Sequence, residues 1–134
     1  VLRLNPEQLV FVTERHLATL TTLRADGSPH VTPVRFSWDA GRGVALMTTE
    51  RTSAKAANAR RRTASGAPTR AALCQVDGGR WLTIEGTIEV DESADAVADA
   101  VARHERRYHR LEPDPLRVVL RLVADRAMAS TYMD

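Results

Sequence analysis

Five donor-bearing side chains fall within the seven residues Thr49 to Lys55: Thr49, Arg51, Thr52, Ser53 and Lys55. The stretch "TTERTSAK" leaves a strand-like run and enters a run of small helix-forming residues. Such a junction presents free backbone N–H groups at the positive end of a helix dipole. Three hydroxyls and two cations in the same place have the chemistry of a phosphate or other anion site. The same residues also fit simple N-capping followed by a solvated lysine, and both readings stand at this point.

Lys55 is the only lysine, and the other eighteen cationic side chains are arginine. Heavy use of arginine and alanine points to a GC-rich coding bias, under which lysine drifts to arginine wherever either serves. A lysine that persists is either a chance survivor or marks a place where a compact ammonium on a flexible stem works better than a planar guanidinium.

Elsewhere the chemistry is sparser. Pro33 interrupts a strand-like run; proline donates nothing to a ladder, so it belongs at an edge or bulge, where a ligand can run along the backbone. Arg80 and Trp81 follow the turn Asp77-Gly78-Gly79, and Gly86 reads as a bend on the same strand. Trp81 also suits a core position. The four histidines, His16, His30, His104 and His109, include no i,i+4 pair with a helical glutamate. His104 and His109 sit in an arginine-rich helix end and read as solvated, so no metal site is expected. No GxSxG, P-loop or GxGxxG pattern is present. Arg60, Arg61 and Arg62 open a basic loop reaching Arg70, but no aromatic residues are interleaved for base stacking, and no nucleic-acid partner is expected.

These residues must be held by elements that the pattern outlines. Asn5-Pro6-Glu7-Gln8 starts a helix running to about Arg15, with Gln8 completing a capping box. "HLATLTTLRADGSPHVTPVRFSWD" reads as two strands around Asp26-Gly27, and "VALMTT" as a third. Thr52 or Ser53 caps a helix from about Ala54 to Arg61. "AALCQVD" and "RWLTIEGTIEV" are the fourth and fifth strands. Ser93 caps a helix to about His109, with Val97, Val101 and Tyr108 on one face. "LRVVLRLVADRAMAS" is a sixth strand. The expectation is a mainly β (α+β) domain spanning 1–134: a six-stranded antiparallel barrel that closes its own edges, with three peripheral helices.

A chain of 134 residues is one domain's worth. Aromatics make up only 4%, so the core must be aliphatic. The net charge of +2 argues only weakly for an anionic ligand. Cys74 is the sole cysteine, which excludes an intrachain disulfide. No apolar run reaches the length of a membrane span and no signal-peptide pattern opens the chain, so no membrane partner and a cytoplasmic location are expected.

Taken in order, "LATLTTLRADGSPHVTPVRF", the helix-opening "TSAK" and "CQVDGGRWLTIEG" resemble the pyridoxamine 5′-phosphate oxidase-like split β-barrel family of flavin and deazaflavin proteins. Within it the chain is most similar to the actinobacterial branch that uses coenzyme F420. The resemblance implies a homodimer with cofactor at its interface. It implies an F420-dependent reductase that passes hydride to an electron-poor small molecule, such as biliverdin or a related tetrapyrrole. It places the deazaflavin along His30, Val31, Thr32 and Pro33. It places the phosphate at Thr48, Thr49, Glu50, Arg51, Thr52, Ser53, Ala54 and Lys55, with Lys55 as anchor. Gln75, Val76, Asp77, Gly78, Arg80 and Trp81 form a further contact segment, and Arg126 reaches across the interface. Arg35 is a candidate for substrate carboxylates. No catalytic side chain stands out. Relatives that hold FMN at the same junction supply the alternative cofactor, and a non-catalytic binder of cofactor or tetrapyrrole is the alternative role.

Overall fold

In a computed structural model, which describes residues 1–133, the chain forms one antiparallel seven-stranded sheet and three helices. The elements are α1 (Pro6–Phe11), β1 (Ala18–Leu23), β2 (Pro29–Val34), β3 (Ser37–Asp39), β4 (Val44–Glu50), α2 (Ala54–Arg60), β5 (Thr69–Asp77), β6 (Arg80–Asp91), α3 (Ala94–Arg107) and β7 (Arg117–Ala129). The order across the sheet is β2-β1-β5-β6-β7-β4-β3. No helix among the described residues is long and apolar enough to cross a membrane.

Two expectations are corrected. The sheet has seven strands rather than six, and it does not close: β2 and β3, consecutive in the chain, lie at its opposite ends. The cause is local. At Phe36, which is buried, side chains replace the strand neighbour. The Tyr108 hydroxyl accepts from the Phe36 N–H (3.3 Å) and donates to its carbonyl (2.9 Å), and Arg107 donates to the same carbonyl. With its backbone satisfied by side chains, the chain turns there and starts a new strand paired with β4.

Local signals fix the remaining ends. Asn5 and Gln8 form a reciprocal capping box at 2.8 and 3.1 Å. Ser53 and Ser93 cap their helices through Ala56 and Ala96. α1 stops at Phe11 rather than near Arg15, because Thr13 and Glu14 fold back in tight turns on Val10 and Phe11. α3 ends at Arg107, just before Tyr108 is drawn to Phe36. Gly86 is a true bend: the β6–β7 register shifts there, and a Cβ would stand 1.9 Å from the Val123 carbonyl oxygen.

The core is aliphatic as composition requires, with Leu20, Leu73, Leu82, Ile84, Ile88, Leu120 and Leu122 joined by Phe11 and Phe36. The opposite face of the sheet is different. Pro33, Thr19, Cys74, Thr83 and Met128 are in register across it, with exposed Val31, Val76 and Leu17 close by.

Candidate functional site

The strand-to-helix junction forms as expected, but it sorts its donors into two groups. Ser53 Oγ accepts from the Ala56 N–H and from Thr49 Oγ1, so both hydroxyls serve the cap. Arg51 is ion-paired with Glu92 at 2.9 Å, and its carbonyl accepts from Arg60. Glu50, Thr52 and Ala54 are exposed. Lys55 is half-buried and forms no ion pair among the described residues. Capping and an available cation therefore coexist, carried by different side chains.

Lys55 opens into a recess of about 380 Å³ lined by Leu17, Pro33, Val34, Arg35, Thr48, Lys55, His104 and Leu111. Four of the sequence-selected residues meet here: Pro33, Arg35, Thr48 and Lys55. Three bases and no acid line the recess, so its field favours an anion.

The other selected residues lie elsewhere. β2 is an edge strand, as Pro33 required, and it divides its residues between two sides. Val31 and Pro33 are exposed on the open sheet face. His30 lies on the other side, beside Ala54, Ala57, Asn58 and Arg61 of the α2 region, with Nδ1 buried and unpartnered. Thr32 is half-buried opposite Leu20.

Gln75 faces the core. Its amide donates to the Phe11 carbonyl at 2.8 Å and accepts from Arg107 at 2.7 Å, which occupies the side chain. Val76 is exposed and Trp81 half-buried at the β5–β6 hairpin, where Gly78 takes φ +59°. Asp77 and Arg80 are ion-paired, and Arg80 also donates to Glu14 while lying over the Phe11 ring. These bonds hold the Glu14 carboxyl below its ordinary range, with Arg80 as the first cause. Arg126 is exposed on β7 opposite Glu85.

Glu14, His16 and Asp77 offer ligand atoms within 4.8 Å of one another. The Arg80 guanidinium already bridges both carboxylates, so the cluster has its cation.

His104 corrects the sequence reading. It is buried, at 8% exposure, rather than solvated, and its Nε2 has no hydrogen-bond partner. The signal was present in the spacing. Position 104 falls on the same helical face as Val97, Val101 and Tyr108, which the periodicity had already turned inward. Burial pulls its imidazole below the ordinary histidine pKa; His109, Arg35 and Arg117 act in the same direction, and Glu105 opposes them. Arg107 was also missed. It is sealed in a hub with Glu14, Phe36, Gln75 and Tyr108.

The chain is 47% identical over 128 residues to the F420H(2)-dependent biliverdin reductase of Mycobacterium tuberculosis, covering 96% of this chain and 89% of that protein. A conserved hypothetical protein of the same organism superposes with a TM-score of 0.76 at 26% identity, covering 97% of this chain and 86% of that one. The heme storage protein HutZ of Vibrio cholerae, at 18% identity and a TM-score of 0.71, covers 96% of each chain and shares the fold. The sequence pattern described as pyridoxamine 5′-phosphate oxidase matches residues 4–129, nearly the whole chain, and the protein therefore belongs to that family.

Proposed function

We propose that the chain is an F420-dependent oxidoreductase that reduces an electron-poor organic substrate, with biliverdin or a related tetrapyrrole as the substrate class. The observation that carries this reading is the 47% identity, across almost the full chain, to a reductase that uses reduced F420.

The residues present suit such a cofactor. Lys55, which makes no ion pair among the described residues, and Thr48 form a phosphate-compatible end of the recess. Thr49 and Ser53 act there by fixing the α2 cap, while Arg51 is held by Glu92. Pro33 and Val31 leave an open edge along which a planar ring system can lie. His30, Thr32, Val76, Asp77, Gly78, Arg80, Trp81 and Arg126 extend the proposed contact surface, and Gln75 contributes through its backbone alone.

When bound, reduced deazaflavin supplies the hydride. The work of the chain is to bind and orient, which turns an encounter into a near-attack geometry. Lys55 holds one end, the β2 edge sets the ring plane, and Arg35 meets carboxylates entering the recess. The assembly in this reading is a cytoplasmic homodimer. Leu17, Val31, Val76 and Met128 are exposed apolar side chains on a face rich in small residues, a surface type that marks protein contact.

The test is a fluorescence titration with coenzyme F420 and, in parallel, FMN, on wild type and Lys55→Ala. Preferential deazaflavin binding, weakened roughly tenfold (about 1.4 kcal/mol) by Lys55→Ala, is expected. Preferential FMN binding would move the chain to the flavin-using branch, and binding of neither would sink the cofactor reading.

A further inference from the structure

The feature left over from the site is His104. Its imidazole is nine-tenths buried, lines the recess beside Arg35 and Lys55, and leaves Nε2 without a partner. Buried polar atoms are rarely left so, because a buried group without a hydrogen bond loses its water without replacement. The neighbours do not supply the missing bond. The Tyr108 ring is 5.0 Å away centroid to centroid, but its hydroxyl is committed to Phe36. The His109 ring stands edge-on at 5.2 Å, with Nδ1 engaged by the Arg110 carbonyl.

We propose that His104 is a ligand-contacting residue that takes up a proton when an anionic oxygen enters the recess it shares with Arg35 and Lys55. The proposal rests on the cofactor reading above. In the free protein, burial, His109, Arg35 and Arg117 disfavour the imidazolium, and Glu105 alone opposes them. An anionic oxygen against the imidazole reverses the balance, since an opposite charge nearby favours the charged form. Imidazolium, guanidinium and ammonium then surround one anion. The oxygen belongs either to the phosphate of the cofactor or to a carboxylate of the substrate.

The experiment has two arms and needs no variant to begin. Isothermal titration calorimetry in two buffers of different ionisation enthalpy counts protons taken up. The first arm titrates coenzyme F420 into the free protein. The second titrates biliverdin, and separately its uncharged dimethyl ester, into the deazaflavin-loaded protein. Each is repeated with His104→Gln, which keeps a hydrogen-bonding group but does not titrate.

Proton uptake by wild type that His104→Gln loses supports the proposal, and the arm showing it identifies the oxygen. In that arm wild-type affinity falls with rising pH, by up to about tenfold per unit between the free and bound pKa values, and the variant lacks this component. In the substrate arm the dimethyl ester shows no such uptake. Equal proton counts for wild type and His104→Gln in both arms, with deazaflavin binding intact, overturn the proposal. Failure of wild type to bind deazaflavin at all overturns the cofactor reading beneath it, a different result.

Discussion

Arg107 and His104 lie one turn apart on the buried face of α3, and each is 8% exposed. Their surroundings differ sharply. Arg107 makes four hydrogen bonds, to the Glu14 carbonyl twice, the Phe36 carbonyl and the Gln75 amide oxygen, and stacks against Phe36 and Tyr108. His104 Nε2 makes none. Arg107 completes an interaction within the chain, and it explains why the sheet breaks at Phe36. On the reading proposed above, His104 and Lys55, which line the same recess, are one half of an interaction. Equal burial thus hides two roles, and the hydrogen-bond census separates them.

The sharpest way to break this contrast is Arg107→Ala. It removes the only side-chain donor that, among the described residues, reaches the Gln75 amide oxygen and the Glu14 carbonyl, and it opens a cavity beside Phe36. Stability falls by about 3 kcal/mol, read as a shifted urea midpoint at unchanged slope. A loss below about 0.5 kcal/mol would mean that the hub does not hold the β2–β3 break.

Lys55→Ala is the counterpart on the open side. Among the described residues the ammonium makes no ion pair, so the urea midpoint stays within about 0.5 kcal/mol of wild type. Deazaflavin affinity drops instead, by roughly tenfold. Loss of stability with unchanged affinity would exchange the roles of the two regions.

Legibility from sequence follows the same line. Caps, turns, the Pro33 edge strand and the Gly86 bend were readable because each is set by a few adjacent residues. Lys55 stood out in the sequence because its type was unusual in its composition. The β3 strand and the open sheet edges were not, because they depend on Tyr108 and Arg107 reaching Phe36 across more than seventy positions. His104 was misplaced because its charged sequence neighbours, Arg103 and Glu105, masked the helical spacing that turns it inward beside the recess.

A smaller effect tests the break itself. Tyr108→Phe keeps the ring against Arg107 but deletes the hydroxyl that serves both Phe36 backbone groups. Arg107 still donates to the Phe36 carbonyl, so only its N–H loses its partner. About 1 kcal/mol of stability is lost. Amide exchange at Phe36 accelerates by more than that global loss accounts for, and unchanged protection there would show that the hydroxyl is not what ends β2.

The smallest effect concerns the unpartnered side. The folded-state pKa of His104 is lowered from the ordinary value of 6.5, with burial as the first cause. The unfolded chain therefore binds the proton more readily than the folded one. Its contribution to stability is complete above the unfolded pKa and is lost as pH falls through the folded value. His104→Gln removes this component, so the stability difference between variant and wild type changes across that window and is constant above it. A saturating anionic ligand that raises the bound-state pKa reverses the component: the ligand-bound form then holds the proton better than the unfolded chain does. Measured without ligand and with the ligand whose binding shows the proton uptake, deazaflavin alone or biliverdin on the deazaflavin-loaded protein, the same residue should contribute opposite slopes. A slope of one sign in both states would place His104 with Arg107, as a group whose role ends inside the chain.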